Sequence, residues 1–125
     1  MPDVTIKSFD ELDKYAGETH GAEFLYAGKS LGVTAWGMNV ERLPAHWDGY
    51  PEHDHSEDGQ EEVYVMLEGS AVLHADGQSW TLEPGSIARV GPAQKRRLVP
   101  GNDGATLLIL GGTPGKAYEP KSLEG

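Results

Sequence analysis

The sequence predicts an all-β fold, and three features of the chain support this prediction. Its 125 residues include 17 Gly and 8 Pro, a content that suits short strands joined by tight turns better than a helical bundle. Short apolar or alternating segments are bounded by turn residues throughout. Beyond Gly28, no stretch of helical length escapes Gly, Pro or a β-branched alternating pattern. Many short strands in a small chain bury their apolar sides by closing into a barrel or jelly roll.

One short helix precedes the strands in this prediction. Ser8 and Glu11 have the spacing of a capping box, and Phe9, Leu12 and Tyr15 recur every third residue, which predicts a helix over about residues 9–15. Glycine-containing turns at 67–70, 75–78 and 83–86 predict an antiparallel meander in the middle of the chain. The predicted strands are 23–26, 32–43, 62–68, 70–75, 79–82, 86–90, 96–99 and 105–110.

Composition limits the classes of function. The length fits one domain over residues 1–125, with no cysteine for disulfides or thiolate-bound metals. The 20 acidic and 10 basic side chains give a net charge of −10, which disfavours a nucleic-acid partner. The longest aliphatic run, Leu107–Leu110, is far too short for a membrane span, and the N-terminus does not resemble a signal peptide. We therefore expect a cytoplasmic protein.

His53 and His55 form the densest cluster of groups that can carry chemistry. Histidines one residue apart on a strand point to the same face, so they can bind a metal together. A carboxylate from Glu62 on a partner strand would complete a set of two histidines and one carboxylate, which suits a divalent first-row metal with open positions. Glu61 points the other way and is held in reserve. The alternative interpretation is a solvated acidic loop with two incidental histidines.

The stretch from Gly49 to Gly69, GYPEHDHSEDGQEEVYVMLEG, resembles the first motif of the cupin superfamily, Gly-x5-His-x-His-x3-4-Glu-x6-Gly. The spacing from Glu62 to Gly69 matches. The intervals from Gly49 to His53 and from His55 to Glu62 depart from the motif. The resemblance covers about residues 30–112 and implies a cupin-type double-stranded β-helix, a jelly-roll barrel. Residues 1–29 would supply the short N-terminal helix and a strand, and residues 113–125 an extended tail.

The second cupin motif is matched only in outline, because Arg96 stands where the family has a metal-binding histidine. A guanidinium has no lone pair and cannot replace that ligand. Arg96 has three open readings: it anchors a substrate carboxylate, it pairs with Glu62 and abolishes the metal, or it belongs to a solvated basic stretch over residues 95–97.

Further candidate residues follow from position. Trp36, Met38 and Val40 share parity on a predicted strand and are expected to line the barrel interior. An apolar wall of this kind is more often core than substrate pocket, and Trp36 and Met38 are the candidate substrate contacts. Tyr64 and His46 are candidate acid–base groups, although a histidine placed like His46 is more often structural.

The resemblance implies a small cupin that holds a divalent metal ion, Fe, Mn, Ni or Zn, through His53, His55 and Glu62. It would act on a small organic molecule, anionic if Arg96 is its anchor, and cupin sites of this kind support dioxygenase, isomerase and lyase chemistry. The alternative is a non-enzymatic, metal-free small-molecule-binding or regulatory cupin in which Arg96 pairs with Glu62. Exposed edge strands and the related cupins favour a homodimer.

Overall fold

The computed structural model describes residues 2–119, and antiparallel strands form most of it. The strand order in the sheet is β1-β2-β6-β3-β4, and β5 pairs with the first half of β3. The all-β prediction is confirmed. The elements are a 3-10 turn at Phe9–Glu11, β1 Glu23–Leu25, α1 Ala27–Leu31, β2 Gly37–Leu43, β3 Glu61–Ala75, β4 Gln78–Leu82, β5 Ile87–Val90 and β6 Arg97–Gly112.

Two long strands, β3 and β6, replace the four shorter ones that the sequence predicts there. The expected turn at residues 67–70 is wrong, because β3 continues through it with register shifts against β6. Gly69 has a φ of +73°, and a Cβ there would collide with the carbonyl oxygen of Gly104 on β6. This glycine lets two closely approaching strands bend, whereas the turn at Asp76 and Gly77 does reverse the chain into β4.

Both faces of β2 are covered, which the sequence does not predict. Its inner face joins the main core, and its outer face carries Val40, which is 1% exposed and packs with Leu12, Leu25 and Ala27. The N-terminal segment and α1 therefore cover the outside of the barrel. The largest fully buried side chains of the main core are Tyr64, Met66, Leu98 and Leu107.

The N-terminal helix is present only as one 3-10 turn. The backbone N–H and the hydroxyl of Ser8 both donate to the carboxylate of Glu11 at 2.9 Å, as the capping-box spacing predicts. The helix ends there because the chain becomes extended at Leu12 and pairs with β1 through a bridge between Lys14 and Leu25. The sequence did not predict α1, which ends at Gly32 in the left-handed conformation.

The predicted C-terminal tail carries neither helix nor strand over residues 113–119, and residues 120–125 lie outside the described part of the chain. The ring of Tyr118 lies against Gly37 at the start of β2. Within residues 2–119, no helix has both the length and the apolar character that crossing a membrane requires.

Candidate functional site

A cavity of about 590 Å³ lies between the inner faces of the strands and the loop that joins β2 to β3. Its volume falls within the range of roughly 300–1,000 Å³ that is typical of small-molecule sites. The cavity is bordered by Asn39 and Glu41 of β2, Glu62 of β3 and Ile109 of β6. Tyr118, near the C-terminus, also borders it. This cavity holds the groups that the sequence predicts as a site.

The two histidines are positioned by backbone hydrogen bonds of the loop. The N–H of His53 donates to the carbonyl of Arg96 at 3.1 Å, and the N–H of Arg96 donates back at 2.9 Å. The N–H of His55 donates to the carbonyl of Pro92 at 2.7 Å. The longer interval before Glu62 is taken up by a turn that includes Gly59, whose φ is +70°. The extra residues therefore leave both imidazoles facing β3.

His53, His55 and Glu62 converge, as their spacing predicts. The Nε2 atoms of His53 and His55 lie 3.7 and 3.3 Å from Oε1 of Glu62. One ligand atom from each of the three residues lies within 4.8 Å of the other two. Metal bonds of ~2.1 Å to nitrogen and oxygen place neighbouring ligands on the order of 3 Å apart. The donor set therefore fits a divalent first-row metal ion.

Hydrogen bonds orient the two imidazoles. Nδ1 of His53 lies 3.2 Å from the carbonyl oxygen of Pro51, and Nδ1 of His55 lies 3.1 Å from a carboxylate oxygen of Asp58. A carbonyl and a carboxylate accept hydrogen bonds, so each Nδ1 carries the proton and donates it. Each Nε2 then faces Glu62 and is the nitrogen that can offer a lone pair to a metal ion bound between them. Metal-binding histidines are held in this way by their second nitrogen.

Arg96 is fully buried and lies against Glu62, so the reading of a solvated basic stretch is wrong for this residue. Its Nη2 is 3.3 Å from Oε1 of Glu62, its Nε donates to the hydroxyl of Tyr64 at 3.2 Å, and its Nη1 donates to the carbonyl of Gln94 at 2.8 Å. Arg96 does not border the cavity. This position corrects the expectation that it directly anchors a substrate.

Tyr64 lies beside Arg96 and is also fully buried. Its hydroxyl donates to Oε1 of Glu62 at 2.9 Å. Burial and the charge of Glu62 raise the pKa of Tyr64 above its usual range. Tyr64 therefore keeps its proton and positions Glu62, and it does not border the cavity as the predicted acid–base role requires.

Opposing effects set the charge of the site. Burial acts to raise the pKa of Glu62, but the imidazoles of His53 and His55 and the hydroxyl of Tyr64 outweigh it and hold that pKa well below its usual range. The contact with Glu62 raises the pKa of His55 against partial burial, and Asp58 adds to the increase. The carboxylate is therefore ionised at neutral pH, which is the form that binds a metal.

Four further candidates lie away from the cavity. Glu61 is on the opposite face of β3 and accepts a hydrogen bond from Arg89 at 2.7 Å, so it is not a reserve ligand. His46 is exposed and does not border the cavity. The expectation that Trp36 and Met38 line the interior is wrong: Trp36 is 45% exposed, and Met38 packs on the outer cluster. Val40, expected on the same inner face, also packs on the outer cluster. The N-terminal segment buries the outer face of β2, so its apolar residues do not mark the inner face.

An aromatic wall borders the cavity and was not recognised from the sequence. Edge-to-face contacts link Tyr15 to Phe24, Phe24 to Trp47, and Trp47 to Tyr50, with ring centroids 6.3, 5.9 and 6.4 Å apart. Trp47 also donates from its indole N–H to the carbonyl of Thr19 at 2.9 Å. These residues come from three separate segments, so no local pattern in the sequence could have grouped them.

Glu41 is a second carboxyl group of the cavity wall that the sequence did not predict. The residue is 5% exposed, and the hydroxyl of Tyr50 lies 3.5 Å from its Oε2. Its Oε1 is buried and has no hydrogen-bond partner among the described residues. Burial raises the pKa of Glu41 to about 8, with Tyr50 opposing and the charge of Glu62 adding to the increase. Glu41 is therefore largely protonated at neutral pH. The alternation of Asn39 and Glu41 in an apolar strand was the one available signal.

This raised pKa predicts how stability depends on pH. Folded Glu41 holds its proton more tightly than the unfolded chain does, so the free energy of unfolding falls as pH rises from about 4.5 to about 8. Relative to Glu41→Gln, the wild type should lose on the order of 3 kcal/mol between pH 5 and pH 7.5. Urea denaturation at both pH values measures this difference. The exposed Glu68→Gln serves as the control, and an equal stability difference at both pH values would contradict the prediction.

Comparison with known proteins addresses the fold. No protein-family model matches the chain, and no curated protein matches it. A sugar phosphate isomerase of the cupin superfamily from Silicibacter pomeroyi is 22% identical, with 93% of this chain and 77% of that chain covered and a TM-score of 0.74. A cupin protein from Bacteroides fragilis is 23% identical, with coverage of 100% and 97% and a TM-score of 0.70.

A third solved structure is that of a predicted oxalate decarboxylase from Thermotoga maritima. It is 16% identical, with 85% of this chain and 97% of that chain covered and a TM-score of 0.65. These similarities show that the chain has the cupin fold, a jelly-roll barrel, as the motif around His53 and His55 implies.

Proposed function

On this cupin fold, we propose that the protein binds a divalent metal ion through His53, His55 and Glu62 and acts on a small oxygen-bearing molecule in the adjoining cavity. The observation that carries the proposal is the orientation of the imidazoles. Both Nδ1 atoms lie within hydrogen-bond distance of oxygen acceptors, so both Nε2 atoms are left directed at the same carboxylate oxygen. A divalent cation bound between them would take the lone pairs of both nitrogens and a lone pair of the carboxylate.

The proposed site has three protein ligands, because Arg96 cannot act as the fourth. A metal with three protein ligands keeps open positions, where it acts as a Lewis acid on a hydroxyl, carbonyl or carboxyl oxygen of a bound molecule. Fe, Mn, Ni and Zn all suit the donor set. Tyr64 and Arg96 contact the carboxylate of Glu62, and Asp58 contacts Nδ1 of His55. The role of these three residues is to orient the ligands.

Two of the similar structures support a small, oxygen-rich substrate. One is described as a sugar phosphate isomerase and another as a predicted oxalate decarboxylase. Sugar phosphates and oxalate both carry oxygen atoms that can bind an open metal position. Isomerase, lyase and dioxygenase chemistry all remain within the proposal.

The second candidate is a metal-free binding or regulatory barrel. The contacts of Glu62 favour it, because Oε1 already lies near Arg96 at 3.3 Å and accepts from Tyr64 at 2.9 Å. The positive charge of Arg96 also opposes a nearby cation. Metal affinity therefore decides between the two candidates. A homodimer stays a prediction for both, supported by the edge strand β4, of which only Leu82 is buried.

We expect His55→Ala to weaken zinc and manganese binding at least ~100-fold, beyond the roughly 10–100-fold loss seen for outer-shell partners. The variant leaves only two of the three protein donors. The measurement is titration of the metal-free protein by calorimetry, with metal content after dialysis as a second readout.

His74→Ala is the matched control. His74 lies on β3, hydrogen-bonded to Ser79 at 2.9 Å, and does not border the cavity. Its removal should leave the metal affinity unchanged. Equal affinities of wild type and His55→Ala would exclude this site, and the absence of any binding by the wild type would favour the metal-free barrel.

A further inference from the structure

We propose that Asn39, Glu41 and Tyr50 form a subsite on the wall of the cavity that takes a hydroxyl group of a sugar or polyol, and that the wall away from the metal ligands selects an uncharged group over an anionic one. This inference rests on the proposed function, because it names the substrate class of the same cavity. The subsite residues themselves are not metal ligands. They lie on β2 and on the loop, whereas Glu62 lies on β3.

The carboxyl group of Glu41 has an unmet hydrogen-bonding requirement. Glu41 borders the cavity, is 5% exposed, and has a buried Oε1 without a partner among residues 2–119. A polar atom buried in this way is costly unless a partner completes it. In its protonated form the carboxyl group offers one donor and one acceptor, and a hydroxyl group matches both.

The charges of the cavity wall disfavour an anion. The acidic side chains that border it are Glu18, Glu41, Asp54, Glu57, Asp58 and Glu62. No lysine or arginine among the described residues borders it. Arg96, the cation that the sequence suggested as an anchor, lies behind Glu62 and is fully buried. A phosphate or carboxylate away from the metal ligands would therefore meet carboxylates and no cationic side chain.

The aromatic wall supplies the remaining recognition. Phe24, Trp47 and Tyr50 border the cavity. The hydroxyl of Tyr50 lies 3.5 Å from Oε2 of Glu41. Aromatic rings bury the apolar C–H faces of a ligand, and polar groups such as Asn39 and Glu41 fix its orientation. A sugar or polyol presents both kinds of surface. Glu41 is largely protonated at neutral pH, so at this point of the wall it offers hydrogen bonds and no charge.

The test uses matched pairs of probes with the full-length protein, both zinc-loaded and metal-free; the metal-free comparison removes binding of a phosphate to zinc itself and decides the result. D-Fructose, D-ribose and glycerol are compared with fructose 6-phosphate, ribose 5-phosphate and glycerol 3-phosphate at equal concentration. Thermal shifts and calorimetry measure binding. We expect at least one uncharged member to raise Tm and its phosphate to raise it less. Stronger binding by the phosphates, or no binding by any uncharged member, would overturn the proposal.

Two substitutions at one position assign the effect to Glu41. Glu41→Gln keeps a donor and an acceptor and should bind the uncharged probe within about threefold of wild type, whereas Glu41→Leu should weaken it at least about tenfold. Glu57→Gln, at the cavity border, is the control for loss of one carboxylate. Unchanged binding by Glu41→Leu would overturn the subsite.

Zinc affinity, measured on the same samples, separates this proposal from the proposed function. Glu41→Leu should leave it within about threefold, because Glu41 is not among the three ligands. If the wild type bound no zinc, the proposed function would fail, and the comparison of uncharged and charged probes on the metal-free protein would still decide the subsite.

Discussion

Replacing Arg96 with histidine is expected to tighten zinc binding at least about tenfold. Arg96 stands at the position of a ligand histidine in the second cupin motif, and its guanidinium lies 3.3 Å from the ligand oxygen of Glu62. The substitution removes a buried positive charge close to the metal position and introduces a nitrogen donor. A tenfold gain corresponds to about 1.4 kcal/mol. This is less than the roughly 4 kcal/mol of repulsion between two unit charges about 4 Å apart near a protein surface.

The same substitution should change stability in a metal-dependent way. Without metal, Arg96→His loses the hydrogen bonds to Tyr64 and Gln94 and leaves Glu62 with a weaker partner, so Tm should fall. Added zinc should then raise Tm by more than it does in the wild type, because tighter binding stabilises the folded state more.

Arg97→Gln is the control for loss of a neighbouring positive charge without a new nitrogen donor. Arg97 is the next residue along the chain, and it pairs in register with His74 on β3, which does not border the cavity. Its zinc affinity should equal that of the wild type. Equal affinities for Arg96→His and the wild type would show that Arg96 does not occupy a ligand position.

Gly69→Ala is expected to lower the free energy of unfolding by about 3 kcal/mol. The position has a φ of +73°, which is unfavourable for any residue with a Cβ by roughly 1–2 kcal/mol. The new methyl group would also collide with the carbonyl oxygen of Gly104, where β3 and β6 approach closely. Relief of that collision requires movement of one backbone, and overpacking of this kind costs about 1–3 kcal/mol.

Gly77→Ala separates the two contributions. Gly77 has a φ of +70°, nearly that of Gly69, but a Cβ there would have nothing within 4 Å. Its loss of stability should therefore be limited to the conformational part, roughly 1–2 kcal/mol. Urea denaturation of both variants measures the difference, and equal losses would show that the strand approach at Gly69 tolerates a methyl group.

Most of the strand content was predictable from the sequence, but the connectivity at Gly69 was not. A glycine between two apolar segments predicts a turn, and the same residue also permits a bend inside a continuous strand. Long-range pairing decides between them, since β6 runs alongside β3 on both sides of the bend. The helix over residues 9–15 failed for a similar reason, because pairing of Lys14 with Leu25 draws the chain into an extended conformation.

The candidate site was predictable where it depends on local spacing. The parity of His53 and His55 and the distance from Glu62 to Gly69 in the motif identified three residues that the structure brings together. The second motif left three readings of Arg96 open, and its burial against Glu62 excludes the solvated one. Glu41, by contrast, faces the cavity because the N-terminal segment covers the opposite face of β2. That covering depends on tertiary contacts of Leu12 and Leu25, which no local pattern encodes.

The backbone hydrogen bonds that tie His53 to Arg96 and His55 to Pro92 have a thermodynamic effect on ligand binding. They involve main-chain atoms alone, so they order the loop whether or not its imidazoles bind a cation. These residues lose their conformational entropy when the barrel folds. The free energy of binding is therefore not reduced by the cost of ordering them. In this respect the barrel differs from a zinc finger, in which metal binding and folding are a single event. Under the proposed function, one metal would therefore exchange for another on a preorganised scaffold without unfolding it.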